Sequence, residues 1–279
     1  MRRPLAQTSI RDALDSAVIA LTAAGCETPR LDAELLLAGA MGVDRAVIVS
    51  DPGRGIEPDA ARRFIEFAAR RREREPVAYI LATKGFRSID LAVDPRVLIP
   101  RPETEHLVEA VLDLPRGARV CDVGTGSGAI ALALKTERPD LTVVATDASH
   151  DALAVARANA VRLGLDVAFH HGDLLADVGG RIDAIVSNPP YVEDGARLAP
   201  EIVRHEPALA LRAGPDGLDV IRRLLPAAGA TEARVMALEI GAGQAGAVGD
   251  LLREAGFPDV GVVRDLAGVE RVLVGRRPG

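Results

Sequence analysis

The sequence has no tryptophan, two tyrosines and five phenylalanines in 279 residues, so any core it builds must be aliphatic. Cysteine is as scarce. Cys26 and Cys121 lie far apart, outside any Cys-x-x-Cys or Cys/His cluster, which argues against a disulfide framework and against a metal site. Lysine is nearly missing, since only Lys84 and Lys135 stand among 34 basic residues. That skew is compositional and carries no functional weight. A positive excess is lacking too: the net charge is −6 and the pI near 5.5. A duplex-DNA binder normally needs such an excess to displace phosphate counterions, so no direct nucleic-acid contact is expected. No uninterrupted apolar run reaches the roughly 18 residues of a membrane span, so no membrane association is expected either.

What is present is a globular mixture, 48% hydrophobic and 27% charged, at a length that suits one large domain or two unequal ones. Arg2-Arg3 followed by Ala23-Ala24-Gly25-Cys26 imitates a twin-arginine or lipoprotein leader. Arg11, Asp12 and Asp15 interrupt it, and Ile10, Leu14, Val18 and Leu21 fall at amphipathic-helix spacing. A helix and a cytoplasmic protein are therefore expected.

Residues 1–83 read as short helices. Thr28-Pro29 offers an N-cap with proline at the first position, ahead of Leu31, Leu35 and Ala38. Glu57-Pro58 opens another helix, with Phe64, Phe67 and Arg71 along one side and a closing charged run, Arg70 to Glu75. With acids interleaved, that run reads as a solvated face more readily than as a dock for an acidic macromolecule. Residues 84–100 turn extended and alternating, as in Ser88 to Val93, the pattern of a hairpin or linker. Over residues 101–279 strand-like runs (119–123, 141–146, 167–170, 184–187, 235–240) alternate with helical ones (152–163, 245–255). Repeating βα units imply a doubly wound, mostly parallel sheet. Runs 260–263 and 271–274 are joined by a short turn and should pair antiparallel at an edge.

The first strand of that region runs into Asp122-Val123-Gly124-Thr125-Gly126-Ser127-Gly128-Ala129. Its glycines permit a sharp turn and close ligand approach at a helix start. The next strand ends at Asp147, 19 residues beyond Gly128, where a carboxylate can accept both hydroxyls of a ribose. NAD and S-adenosylmethionine share that need, and the glycine pattern alone leaves a dinucleotide enzyme open. Asp122 favours the second ligand, since a pyrophosphate has no use for a neighbouring carboxylate whereas a sulfonium and an ammonium do. A local backbone-capping role for Asp122 is the alternative. Asp173, followed by Leu174 after the third strand, is placed to reach an adenine amino group.

After the fourth strand comes Ser187-Asn188-Pro189-Pro190-Tyr191. The proline pair fixes a loop without N–H donors, so carbonyls face outward. The Asn188 side-chain oxygen and the Pro189 carbonyl can then grip both hydrogens of a planar –NH2, with Tyr191 offering a flat face beside it. A planar –NH2 has its lone pair delocalised. Two positioned acceptors can turn that pair toward a methyl donor without a strong base.

With these residues the sequence resembles the HemK/PrmC protein-(glutamine-N5) methyltransferases that modify class I peptide-chain release factors. The likeness runs through Pro29 to Leu36, Arg71-Arg72, Glu75 to Ile80, Val97 to Glu105, Glu206-Pro207, Asp216 to Leu218 and Asp265 to Gly268 with Arg271. Pro-Arg-Pro-Glu-Thr-Glu, residues 100–105, is its most family-specific piece. The resemblance implies a seven-stranded class I methyltransferase fold, S-adenosylmethionine as cofactor, and the glutamine of a Gly-Gly-Gln motif as acceptor. It also implies a catalytic Asn188–Tyr191 segment, a cofactor site of Asp122, Gly124 to Gly128, Asp147, Asp173, Leu174 and Asn188, and a monomer whose helical N-terminal domain docks the release factor. Departures are Ala82 where the family has glycine, Lys84 to Arg87 as an atypical turn, and Leu174 where an aromatic often stands. Rivals are a ribosomal-protein glutamine methyltransferase, an N6-adenine DNA methyltransferase and a non-catalytic S-adenosylmethionine-binding module.

Overall fold

The computed structural model describes residues 8–176 and 178–278, so Arg2-Arg3 lies outside the described residues. The chain divides into two compact units. The first ends at Ala82 and takes in Leu198–His205, and the second comprises Thr83–Arg197 with Glu206 onward.

The first unit is helical: α1 (Ile10–Ala23), α2 (Pro29–Met41), α3 (Arg45–Ser50), α4 (Pro58–Arg72) and α5 (Val77–Leu81). Helix α1 starts where Ser9 Oγ accepts from the Asp12 N–H, and buries Ile10, Leu14, Ala17 and Leu21. Helix α2 keeps the Thr28-Pro29 start, but the Thr28 hydroxyl donates to Asp32 Oδ1 at 2.8 Å and caps no backbone N–H. Its buried apolar face is Ala33, Leu36, Leu37, Ala38 and Ala40, so of the expected stripe Ala38 is buried while Leu31 is exposed. The helix is apolar on nearly every side, so spacing alone could not choose the face.

The charged run at the end of α4 is a solvated face only in part: Arg70, Arg72 and Glu73 are exposed, and Arg71 is not. Arg71 and Asp32 are buried, and Arg71 Nε donates to Asp32 Oδ2 at 2.8 Å while its Nη2 donates to Glu201 at 3.0 Å. Arg74 binds the other oxygen of Glu201, and Arg70 binds Glu75. Arg72 and Glu73 remain exposed. The sequence hides this arrangement because Glu201 lies 130 residues from Arg71. Its six-residue helix, Pro200–His205, buries no side chain, so ion pairs rather than an apolar stripe tie it into this unit.

Helix α5 ends at Ala82, whose φ of +54° is left-handed. This conformation explains the glycine that the family prefers here, because a Cβ disfavours it. Ala82→Gly is expected to stabilise the protein by roughly 0.5–1 kcal/mol, part of the gain being offset by the freer unfolded chain. The denaturation midpoint should rise; a fall would show that the alanine is unstrained.

The second unit opens with an antiparallel hairpin, β1 (Thr83–Phe86) and β2 (Ile89–Ala92). Its turn residue Arg87 is also left-handed (φ +49°) and is held by Glu105, Glu109 and Glu137. After α6 (Glu105–Glu109) the elements alternate as β3 (Arg119–Val123), α7 (Ala129–Glu137), β4 (Thr142–Asp147), α8 (His150–Leu163), β5 (Ala168–His171) and β6 (Ala184–Ser187). Beyond the returning helix α9 (Pro200–His205) come α10 (Asp219–Gly229), β7 (Val235–Glu239), α11 (Ala245–Glu254), β8 (Asp259–Arg264) and β9 (Glu270–Arg276). The seven strands from β3 onward form one sheet in the order β5-β4-β3-β6-β7-β9-β8. Neighbours are parallel up to β7, and β9 pairs antiparallel with both β7 and β8.

Parallel strands covered on both faces read as continuous apolar runs, and β6 and β7 are buried at every position. The edge strands β5 and β8 are not. Strand order reverses between β3 and β6, so a crevice opens at their carboxyl ends, where ligands of doubly wound sheets bind.

Candidate active site

The glycine loop after β3 is built from left-handed residues: Gly124 (φ +74°), Gly126 (+56°) and Gly128 (+85°). At Gly124 and Gly126 a Cβ would meet no atom within 4 Å, and both glycines line a cavity of about 200 Å3. Gly128 has a different reason, since a Cβ there would stand 2.9 Å from Leu132 Cδ1 and crowd the α7–α8 packing. Asn159 of α8 ties the loop to the hairpin, donating to the Ser127 and Ala92 carbonyls and accepting from the Ala92 N–H.

Most loop amides are already committed. Gly124 and Thr125 donate to the Thr146 carbonyl, both at 2.9 Å; Gly126 donates to Asp147 Oδ2 and Ala131 to Asp122 Oδ2. A pyrophosphate needs those donors free. Two carboxylates instead take up the N–H groups, which disfavours an anionic dinucleotide and fits a sulfonium ligand carrying a ribose.

Asp122 does not line the cavity. It is fully buried, Oδ2 also accepting from Thr125 Oγ1 at 2.6 Å, while Oδ1 has no partner among the described residues. Burial pushes its carboxyl up to about 7. The capping role weighed for this residue is thus the one its Oδ2 performs, because the side chain of a strand residue one short of the loop turns back into the core. Asp147 does line the cavity. Its oxygens accept from the Gly126 and Ser149 N–H groups, which set the carboxylate's direction and leave each oxygen a lone pair for a hydroxyl. Burial raises its pKa, and those backbone bonds oppose the rise.

Asp173 and Leu174 also line the cavity. Asp173 is exposed and ion-paired with Arg223 of α10, so its carboxylate is shared with a guanidinium rather than free for adenine. Leu174 takes a left-handed φ of +55°, its carbonyl accepts from Thr146 Oγ1 at 2.8 Å, and its side chain packs on the sheet core.

Asn188, Pro189 and Pro190 form the far side of the same cavity, and Ser187 Oγ donates to the Val123 carbonyl to join the ends of β6 and β3. Asn188 Nδ2 donates to Thr104 Oγ1 at 3.1 Å, leaving Oδ1 without a partner among the described residues. Tyr191 is not among the cavity-lining residues. Its hydroxyl donates to Glu239 Oε1 at 3.1 Å, and its backbone carbonyl accepts from Gln244 Nε2. Burial first, and Glu239 second, push the phenol pKa well above its ordinary range. Thr125, Ser127 and Gly128 likewise stand behind the cavity rather than on it.

Sequence reasoning missed Arg96, Leu98, Leu209, Val220 and Arg223, which are also part of the wall. It also missed Glu239, although a carboxylate ending an otherwise apolar buried strand is a visible signal. Among the described residues no His/Cys/Asp/Glu group could hold a metal, and no helix is long and apolar enough to cross a membrane.

The fold has solved counterparts. The T. thermophilus 16S rRNA N2 G1207 methyltransferase, in complex with AdoMet and guanosine, aligns with a TM-score of 0.52 at 20% identity, over 70% of this chain and 50% of that one, a likeness of fold alone. Residues 102–246 match the family model described as the methyltransferase small domain, and residues 12–81 match that of the PrmC N-terminal domain. Sheet order, glycine loop and cavity together define a class I S-adenosylmethionine-dependent methyltransferase. The release factor glutamine methyltransferase of Koribacter versatilis (strain Ellin345) is 43% identical over 279 residues, 97% of this chain and 99% of that protein. The one of Deinococcus radiodurans is 43% identical over 277 residues, with the same shares. The chain belongs to the release factor glutamine methyltransferase family.

Proposed function

We propose that this chain methylates the side-chain amide nitrogen of the glutamine in the Gly-Gly-Gln motif of class I peptide-chain release factors. One observation carries the chemistry. A single cavity is walled on one side by Gly124, Gly126 and Asp147 and on the other by Asn188, Pro189 and Pro190, so donor and acceptor would meet there. Relatives that match nearly end to end bear the release-factor name, which supports the choice of substrate.

S-adenosylmethionine supplies an electrophilic methyl on a sulfonium. The Gly124–Gly126 turn gives that ligand room and Asp147 accepts from its ribose, with Asp122 holding the loop from behind. Asp173 and Leu174 border its adenine. Asn188 Oδ1 and the Pro189 carbonyl accept the two amide hydrogens of the glutamine, while Pro190 stiffens the loop and Tyr191 anchors it. Holding both hydrogens turns the nitrogen lone pair toward the methyl. The N–CH3 bond forms as the S–CH3 bond breaks to release S-adenosylhomocysteine, and one amide proton is then lost to solvent, so positioning replaces a base. Residues 1–83 dock the release factor, residues 84–100 link, and residues 101–279 carry out the transfer. The protein acts as a cytoplasmic monomer without contacting nucleic acid directly or a membrane.

The test uses methyl-labelled S-adenosylmethionine, a purified class I release factor and its Gln→Ala form in the Gly-Gly-Gln motif. Label is expected on the intact factor alone. Equal label on both, or none on either, overturns the reading, and label on ribosomal protein instead would assign the chain to the sister activity.

A further inference from the structure

Asn188 can hold an amide only if its oxygen, not its –NH2, faces the acceptor. Nothing in the Asn-Pro-Pro-Tyr loop itself settles which way the side-chain amide is turned. The structure places two residues behind it that do. Glu239, at the buried end of β7, accepts from Thr104 Oγ1 at 2.6 Å on one oxygen and from Tyr191 Oη at 3.1 Å on the other. Thr104 is itself buried, and its oxygen receives Asn188 Nδ2 at 3.1 Å.

A threonine hydroxyl has one hydrogen. Burial raises the Glu239 pKa while the hydrogen bonds from Thr104 and Tyr191 oppose the rise, and in its ionised form the carboxylate has no hydrogen to give. Once that hydrogen is committed to Glu239, the hydroxyl oxygen can only accept. Asn188 must then offer Nδ2 inward, which leaves Oδ1 as the amide atom available to a ligand. A reversed chain would turn the –NH2 of Asn188 against the –NH2 of the acceptor, donor facing donor. Tyr191, at the other end of the loop, is fixed by the same carboxylate, so one buried group holds both ends of Asn188–Tyr191.

We infer that Glu239, acting through Thr104, is the positioning residue that sets the orientation of the Asn188 amide, an inference that rests on the acceptor-gripping reading of Asn188. Neither residue reaches the reacting atoms. Their effect is confined to the direction of a hydrogen-bond chain.

The test is Thr104→Val, which keeps the shape and removes the hydroxyl, beside Thr104→Ser, which restores it. Expected for Thr104→Val is a fall in kcat of about 10²-fold, the scale of a misaligned reacting group, with KM for the release factor and the S-adenosylmethionine Kd within about threefold. Thr104→Ser should recover kcat to within about threefold of the unsubstituted chain. Glu239→Gln can still accept from Thr104 while donating to Tyr191, and should lose less than Thr104→Val. In an Asn188→Ala background Thr104→Val should cost nothing further, because the two act as one unit. An unchanged kcat in Thr104→Val overturns the inference, as does a serine variant no better than valine. So does a parallel loss of kcat, cofactor affinity and Tm, which would mark a purely structural role. A second readout needs no substrate: proton exchange of the Asn188 side-chain –NH2 should be slowed in the unsubstituted chain and quickened in Thr104→Val. Equal exchange rates overturn the inference even if the release factor proves not to be the substrate, whereas a failure of transfer by the unsubstituted chain counts against the proposed function alone.

Discussion

Asn188→Ala is expected to lower methyl transfer by about 10²–10³-fold, the range seen when a preorganised polar partner of the transition state is removed, and to leave a measurable residual rate. Binding of S-adenosylmethionine should survive within about threefold, because all the proposed cofactor contacts but that of Asn188 are carried by other residues. Asp147 and the glycines stand on β4 and after β3, and their hydrogen bonds to Thr146, Gly126 and Ser149 do not pass through Asn188. Asn188 sits across the cavity after β6, with one amide nitrogen on Thr104 and its oxygen free for a ligand. Truncation removes that acceptor and leaves the flanking prolines to hold the loop. Single-turnover transfer and calorimetric cofactor binding on the same preparation separate the two effects. Should both vanish together, Asn188 is a cofactor or folding residue and the acceptor-gripping assignment falls.

Arg71→Met should destabilise the first unit by about 3–5 kcal/mol, the cost of leaving the buried Asp32 charge uncompensated. Burial works against the Arg71 charge, but its hydrogen bonds to Asp32 and Glu201 win, so its pKa stays above the ordinary value. Methionine fills much of the volume and removes the cation, leaving Asp32 at 7% side-chain exposure without an ion-pair partner, while Glu201 keeps Arg74. Its neighbour in sequence provides the control. Arg72, 60% exposed and paired only with exposed Glu73, should change stability by less than about 0.5 kcal/mol on replacement by alanine. Because the chain has two units, hydrogen exchange at the α2 and α4 amides is the appropriate measure rather than one global midpoint. Protection in Arg71→Met equal to that in Arg72→Ala would show that the buried pairs contribute nothing.

The two arginines show where a sequence stops being informative. Both lie in the same charged run, and interleaved acids made all of it look solvated. Which one is buried depends on Glu201, more than a hundred residues away and carried on a short helix with no apolar face. The same limit applies to Asp122. A carboxylate beside a glycine loop is legible as chemistry, but its aim is not, and the side chain turns into the core to hold Thr125 and Ala131. Asp173 reads as a free acceptor until the fold brings Arg223 to it.

Local rules were enough for the elements themselves. Continuous apolar runs broken by glycine and proline marked the strands, alternation over Ser88 to Val93 marked a hairpin or linker, and a short link marked the antiparallel edge of β8 and β9. The turn expected at Lys84 to Arg87 is instead mostly strand β1. The sequence also pointed to the proposed chemistry, since the Gly124–Gly128 and Asn188–Tyr191 motifs and Asp147 restrict by residue type what they could bind. Tertiary structure alone decided how those motifs are aimed. Thr104 and Glu239 stand 135 residues apart, and the hydrogen-bond direction they impose on Asn188 exists only once β6, β7 and the turn before α6 are packed together. A covalent neighbour can fix a residue's conformation, but a hydrogen bond's direction is set by whichever partner the fold brings within 3 Å.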